Sequence, residues 1–501
     1  MGGAVLSGVL AAASRPPLDL GLLAFVALVP LFTAWRGRSA RTRALLAFVT
    51  AAVYYGLTCS WMRYFGTVAI VPFVAACAAY WAAVGAVVGA LDRSRITHPL
   101  VTAAVWVIAD AGVSRFPFGG ISWGELGYSL HDFGPGRAVA AFGGIAAVTF
   151  LVVAVNGYLA DAAGLVAIRG ADASGARTRA AVRAVAGLAV LVVLLTAASV
   201  ARPVPQRTAR LRVALVQGND LDRDLTAAES ADRYLTRSHL ALAATIRDPV
   251  DLIVFPESSM DADPRTDAEV RGSLATLARR KQAWVLANAT VDAPPDGAEA
   301  ENLDVLFAPD GTITGTYAKQ HLVPFGEYVP FRSLVTAVVP AAGEVARDYR
   351  PGPGPTLFTV DGVPVAPIIC FESAFGAEVR PLVADGAQVL LLVTNNRSYR
   401  RSANSEQHVA IGQMRAAETG RPLVHSAISG ISALIDAEGR VRARTRLFEP
   451  TVLRGTVTAT TGDTPYVRFG PWFGVLCGLV TLGAGIVALR RRRTAPVESE
   501  S

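Results

Sequence analysis

Seven apolar runs, at about residues 18–35, 43–62, 66–91, 98–113, 138–168, 183–201 and 472–490, and a shorter one at 3–14 constrain this chain more than any other feature. A helix needs roughly 20 apolar residues to cross the hydrocarbon core of a bilayer, so the runs predict a multi-span α-helical membrane bundle. The first run has no basic leader and is followed at once by further apolar runs. It is therefore expected to be a short or tilted span rather than a cleaved signal peptide, which makes about eight spans. Composition agrees, because 52% of the 501 residues are hydrophobic and only 17% charged, which excludes a disordered or purely soluble chain.

The positive charge reads as a topology signal. Arg36, Arg38, Arg41 and Arg43 follow the second run, Arg93 and Arg95 the fourth, a series from Arg169 to Arg183 the sixth, and Arg490 to Arg493 the last. If every run crosses, all four clusters share one side, which the positive-inside rule makes the cytoplasm, and the block between the last two runs lies outside. The arginine-rich tail directly abuts an apolar run, so a nucleic-acid patch is not expected. Asp110 and Asp161 are the chief ionisable residues within the runs, and no proton or ion pathway is apparent.

The expected organisation is a membrane bundle of about seven spans over 1–205, an extracytoplasmic domain over 207–460, a final span over 470–491 and a cytoplasmic tail over 492–501. In the 207–460 block, short β-branched runs (LRVALVQ at 211, DLIVFPE at 251, AWVLANAT at 283, PVAPIIC at 364, QVLLLVTNN at 388) alternate with helical segments near 225–247, 266–281, 374–384 and 404–418. That pattern predicts a layered α/β fold. GxGxxG, P-loop, HExxH and GxSxG patterns are absent from it, so nucleotide, zincin and serine-hydrolase readings have no local support.

Three strand ends carry chemistry. Glu257 follows LIVFP, Lys319 follows TITGTYA and Cys370 follows VAPII. The chain has only two lysines, Lys281 and Lys319, among 47 basic residues, and four cysteines, Cys59, Cys77, Cys370 and Cys477, of which three fall in apolar runs. A thiol attacks a carbonyl only as its thiolate, so it needs a base, a neighbouring cation or a helix start. Glu257 offers the base, Lys319 a compact cation for an oxyanion, and FESAF after Cys370 a strand-to-helix turn. Each has a structural alternative: a cysteine at a strand end is often a small buried hydrophobe, and a glutamate after proline is often a cap or a solvated charge. Lys281, in the series RRK, reads as a surface charge.

The segments IVFPES (253–258), YAKQHLVPFGEYVPF (317–331) and IICFES (368–373) resemble the Glu/Lys/Cys motifs of the nitrilase superfamily, and the middle one is similar to that of the apolipoprotein N-acyltransferases. The multi-span flanks resemble the same family, so the resemblance covers essentially the whole chain. It implies an α-β-β-α nitrilase-like domain with Glu257 as general base, Lys319 as oxyanion lysine and Cys370 as nucleophile. It further implies supporting roles for Glu327 and Glu372, and no metal or cofactor.

Implied also is a ping-pong reaction at a bacterial plasma membrane, in which a phospholipid acyl chain passes through a cysteine thioester to the α-amino group of a diacylglyceryl apolipoprotein. A monomer is expected. The rival readings are a membrane-tethered nitrilase-type amidase that hydrolyses a C–N bond, and a transporter or scaffold whose outer domain only binds. Phe325, Tyr328, Phe331, Leu334, Val338 and Val339 lie between Val323 and Pro340, where loops are otherwise polar, and predict a lid dipping into the bilayer interface. FPFGGISWGELGYS (116–129) also resembles the family; its aromatics suit interfacial anchoring and substrate contact equally. Many relatives have Asn-Asp-Ala-Trp-Phe where this chain reads NNRSY (395–399), with Asn396 for the acid and Ser398 for the tryptophan. Farther on, Arg415 and Glu418, three apart on a helix, are expected to pair.

Overall fold

The computed structural model describes residues 1–92, 98–167, 174–220, 226–294, 297–338 and 347–494. Arg93, Arg95, Arg169, Val339 and Pro340, named above, lie outside the described residues, as does most of the tail. The chain divides into two units, Met1–Arg202 with Phe469–Ser501, and Pro203–Arg468.

The first unit is helical. Among the described residues, four of its helices are long and apolar enough to cross a membrane: Thr67–Asp92, Gly134–Gly164, Ala181–Val200 and Trp472–Arg491. Between apolar surfaces in lipid, small residues let helices approach closely. The helix Ala40–Thr58 meets Thr67–Asp92 in this way, since a Cβ on Gly85 would lie 2.5 Å from the Arg43 carbonyl oxygen and one on Gly89 2.6 Å from the Ala40 Cα.

The run at 18–35, expected to form one span, is instead a 3-10 helix Gly21–Phe25 followed by a short helix Val29–Ala34. Pro30, at the start of the second piece, has no N–H to continue the first. Backbone groups freed at such a break need partners in an apolar setting. Asn156 supplies them, accepting from the Leu28 N–H at 2.7 Å and donating to the Ala24 carbonyl at 2.7 Å. Asp161, one of the two acids expected within the spans, pairs with Arg183 at 3.1 Å and lies 3.6 Å from Arg36. Arg43 pairs with Asp92.

The second unit contains twelve strands among the described residues: β1 (Gln206–Gln217), β2 (Leu252–Val254), β3 (Trp284–Asp292), β4 (Ala300–Phe307), β5 (Ile313–Ala318), β6 (Phe358–Val360), β7 (Val363–Ile369), β8 (Val389–Thr394), β9 (Leu423–Ala427), β10 (Ala433–Ile435), β11 (Val441–Arg444) and β12 (Thr451–Thr461). They form two six-stranded sheets, ordered β12-β1-β2-β3-β4-β5 and β11-β10-β9-β8-β7-β6.

Period-two alternation explains the layering. In β1, Leu211, Val213 and Leu215 join the cluster packed between the sheets, whereas Ala214 and Val216 face the helices Tyr234–Ala244 and Ala268–Lys281. In β8, Leu391 and Val393 point to the inter-sheet core, while Leu390 and Leu392 face the helices Gly376–Ala384 and Asn404–Thr419. The result is an α-β-β-α sandwich whose central strands are buried on both faces, with each fully buried Leu or Val contributing about 1.5–3 kcal/mol.

The segment 225–247, expected to be one helix, breaks at Arg233, which has φ 53°. Lys281 is more than a surface charge: its ammonium donates to the Ala244 carbonyl at 3.2 Å and also to that of Ile246, satisfying acceptors left open at the end of the helix Tyr234–Ala244. Arg415 and Glu418 pair at 2.9 Å, both fully buried.

Candidate active site

β2 and β3 are parallel, and β4 and β5 each reverse direction, so the C-terminal ends of β2 and β5 lie at the same edge of their sheet. β7 and β8 run parallel in the second sheet. Glu257 comes three residues after β2, Lys319 directly after β5 and Cys370 directly after β7. Strand ends of this kind are where α/β sheets present polar groups without breaking the buried ladder.

Lys319 is 1% exposed, and its Nζ lies 2.7 Å from Glu327 Oε1 and 3.6 Å from Glu257 Oε1. Burial alone disfavours the ammonium, but Glu327 and then Glu257 outweigh it and hold the lysine well above its ordinary value, so it is charged. Glu257 is buried and its pKa is raised above the usual carboxylate range by that burial. The Lys319 charge pulls it back, as do the Asn302 amide, donating to Oε1 at 2.6 Å, and the Asn395 N–H, donating to Oε2 at 2.6 Å.

Cys370 is half-buried and occupies the left-handed region with φ 52°, a conformation that turns the chain sharply from β7 into the five-residue 3-10 helix Cys370–Ala374. The expected helix start is thus a single short turn, and Phe375 is extended before the next helix begins at Gly376. Burial pushes the Cys370 thiol up to about 12, with Glu257 adding to the rise and with Lys319 and a hydrogen bond from the Thr394 side chain opposing it. The thiol therefore rests in its neutral form, and any attack by it would have to be coupled to removal of its proton.

Glu327 joins the lysine to the loop that follows: Oε1 accepts from Lys319, and Oε2 accepts from the Val323 N–H at 2.8 Å. Glu372 acts differently, because its oxygens accept from the Tyr317 hydroxyl at 2.8 Å and from the N–H groups of Gln320 at 2.6 Å, His321 at 3.3 Å and Ile369 at 2.7 Å. It ties the Lys319 loop to the Cys370 turn. Burial raises its pKa to about 7, against the pull of the Ile369 and Gln320 N–H groups. Glu372→Gln puts a donor where these donors converge, so at least one backbone N–H loses its partner. The expected result is a loss of about 1–3 kcal/mol of stability and a lower thermal unfolding midpoint of the purified protein; an unchanged midpoint would remove the tying role.

Phe325 and Tyr328 lie on the loop held by Glu327, where the Phe325 N–H donates to the Tyr328 carbonyl at 2.7 Å. Phe325 is 49% exposed and Phe331 71%, whereas Tyr328 is partly buried. The short helix Arg332–Val338 follows, and Arg332 pairs with Asp348. In the divergent 395–399 segment, Asn396 is buried and donates to Asn404 Oδ1 at 2.8 Å, Arg397 lies 3.5 Å from Asp220, and Ser398 is exposed.

Sequence reasoning did not single out Asn288, Asn302, Asp304, Thr394 or His408. His408 lies 2.8 Å from the Ser373 hydroxyl and 3.2 Å from the Cys370 carbonyl, and burial lowers its pKa to about 4, so it is neutral. A usable signal was present, since Asn288, Asn302 and Asp304 are polar residues in strands buried along nearly their whole length.

Residues 7–158 match the family described as the apolipoprotein N-acyltransferase N-terminal domain, and residues 212–466 the family described as carbon-nitrogen hydrolase. An apolipoprotein N-acyltransferase of Geobacter metallireducens is 31% identical over 513 residues, covering 97% of this chain and 94% of its own. One from Photobacterium profundum is 29% identical over 524 residues, covering 99% and 97%. Among solved structures, an amidase of the nitrilase superfamily from Nesterenkonia is 18% identical with a TM-score of 0.39, covering 53% of this chain and 96% of its own.

Proposed function

The chain belongs to the apolipoprotein N-acyltransferase family, and on that premise we propose that Cys370, Glu257 and Lys319 carry its acyl transfer in two steps through a thioester. Cys370 Sγ attacks the ester carbonyl of a phospholipid while its proton passes to Glu257, and the Lys319 ammonium stabilises the oxyanion. Collapse of the tetrahedral intermediate breaks the ester C–O bond, and the proton on Glu257 goes to the departing lyso-phospholipid. The α-amino group of a lipoprotein's diacylglyceryl cysteine then attacks the thioester. Glu257 takes the amine proton, the C–S bond breaks, and the proton returns to the thiol.

The observation that carries this reading is the meeting of one buried lysine with two carboxylates at strand ends, with Cys370 on a left-handed turn at the end of β7. Because the thiol is held neutral, a base of raised pKa is the useful partner, and Glu257 has one. An amidase using the same trio would release ammonia, but the match of residues 7–158 to an acyltransferase domain favours transfer. No metal or cofactor enters either step.

We place the catalytic unit outside a bacterial plasma membrane, with about eight crossings, the 18–35 run crossing as two short helical pieces, and a single chain as the working form. The pairing of Arg36 and Arg183 with Asp161, and of Arg43 with Asp92, supports a common side for the ends of these runs. Exposed Phe325 and Phe331 support a lid at the bilayer interface, where excluding water would favour the amine over hydrolysis. The reading is tested by incubating the purified full-length protein with phospholipid vesicles and no acceptor. A hydroxylamine-sensitive acyl adduct on Cys370 is expected by mass spectrometry; an active preparation without one would rule out the thioester route.

A further inference from the structure

We propose that Asn302 is a positioning residue for the base Glu257, oriented by an amide chain that starts at the backbone of the neighbouring Ser258. The inference rests on reading Glu257 as the base. An asparagine amide can turn either its oxygen or its nitrogen toward a neighbour, and here the choice is forced. The Ser258 N–H can only donate, and it meets Asn288 Oδ1 at 2.7 Å. Asn288 must therefore turn its Nδ2 the other way, where it donates to Asn302 Oδ1 at 2.9 Å and to Asp304 Oδ1 at 2.9 Å. With its oxygen occupied, Asn302 presents Nδ2 to Glu257 Oε1 at 2.6 Å.

Asn288 and Asp304 are fully buried and Asn302 nearly so, so water does not compete for these bonds. Asp304 fits as the neutral end of the chain: burial first, then the nearby Glu372 and Glu257 charges, raise its pKa well above the carboxylate range, and its Oδ2 has no hydrogen-bond partner among the described residues. An ionised Asp304 would repel the base, whereas a neutral one accepts from Asn288 without adding charge.

On the other oxygen, the Asn395 N–H donates to Glu257 Oε2 at 2.6 Å. The two donors fix the plane of the carboxylate and leave a lone pair on each oxygen for the migrating proton. They also favour the ionised base against burial and the Glu327 charge, both of which raise its pKa. Register supplies the placement. Asn302 is near the start of β4, whose antiparallel pairing sets Leu303 opposite Ala318, and the Lys319 N–H donates to the Asn302 carbonyl at 2.9 Å. One residue thus touches the lysine segment through its backbone and the base through its side chain.

The test is the pH dependence of Cys370 acylation by the full-length protein with phospholipid vesicles, followed by mass spectrometry. Acylation needs ionised Glu257, so the rate falls as pH drops through its pKa. Asn302→Ala removes a donor to the charged form and is expected to move this acidic limb up by about one pH unit. The isosteric Asn302→Asp, which retains the shape if the alanine variant does not fold, is expected to move it at least as far, because a second carboxyl would share the proton. At the plateau pH, KM for a lipopeptide acceptor is expected to stay unchanged. A folded variant whose limb coincides with the native one would overturn the proposal, leaving Asn302 a structural residue. Glu257→Gln separates the two readings. If it acylates with a native limb, Glu257 is not the base; if it is inactive while both Asn302 variants keep the native limb, only the positioning role fails.

Discussion

Replacing Cys370 by alanine is expected to remove both half-reactions, lowering acyl transfer by about four orders of magnitude or more. The size follows from the reaction order: without the sulfur there is no thioester, and the acceptor amine would have to attack an unactivated ester directly. Cys370→Ser tests the same point more finely. A hydroxyl is a far weaker acid than a thiol, and on the proposed route Glu257 takes its proton from a thiol held at about 12. We expect the serine variant to fall by at least about a thousandfold and any adduct it forms to be an oxygen ester that resists hydroxylamine at neutral pH. Cys59, Cys77 and Cys477 are buried in the helical unit, so an acyl group on this enzyme maps to one thiol. Transfer by the alanine variant within tenfold of the native rate would end the nucleophile reading.

Lys319→Met is expected to cost activity and stability together. The lysine is the cation between Glu327 and Glu257, at 2.7 and 3.6 Å, and the site has almost no solvent access to replace it. Loss of a positioned oxyanion partner predicts a fall of about 100- to 1,000-fold in the acylation rate. Breaking one side of a buried ion pair predicts a further loss on the order of 3–5 kcal/mol of folding stability. Without the ammonium, one of the two carboxylates must take up a proton near neutral pH, and Glu257 shifts further upward, so residual activity is expected to move toward alkaline pH. Lys319→Arg should recover stability better than rate, because a planar guanidinium does not place a point charge where a lysine does. A native pH profile in the methionine variant, or full activity with arginine, would argue against this assignment.

Much of the site was legible because its members interrupt strong patterns. Lys319 and Cys370 stand out as rare residue types directly after buried strands, and Glu257 follows a run too apolar to lie on a surface. The supporting residues were harder to read. Glu372 has a carboxylate's ordinary capacity to cap or to catalyse, and only its four donors, from Tyr317, Gln320, His321 and Ile369, reveal a tie between two loops. Asn288 and Asn302 sit in strands that carry other polar residues too, Thr290 in β3 and Glu301 and Asp304 in β4, so neither stands out until its partners are known. The broken run at 18–35 was illegible for a similar reason, since Asn156, more than a hundred residues away, satisfies its open backbone groups.

What the amino-acid order determined alone was local: which segments are apolar enough to leave water, which strands are buried on both faces, and which rare residues end them. Periodicity and composition carry that information because solvation acts on each segment separately. Tertiary structure decided the rest. The pairing of β2 with β3 and of β3 with β4 brings Asn302 against Glu257, the register of β4 and β5 brings it against the Lys319 segment, and burial turns ordinary groups into a neutral thiol, a charged lysine and a carboxyl of raised pKa. Those properties depend on the distance and desolvation of groups tens of residues apart, and neither exists until the chain has folded.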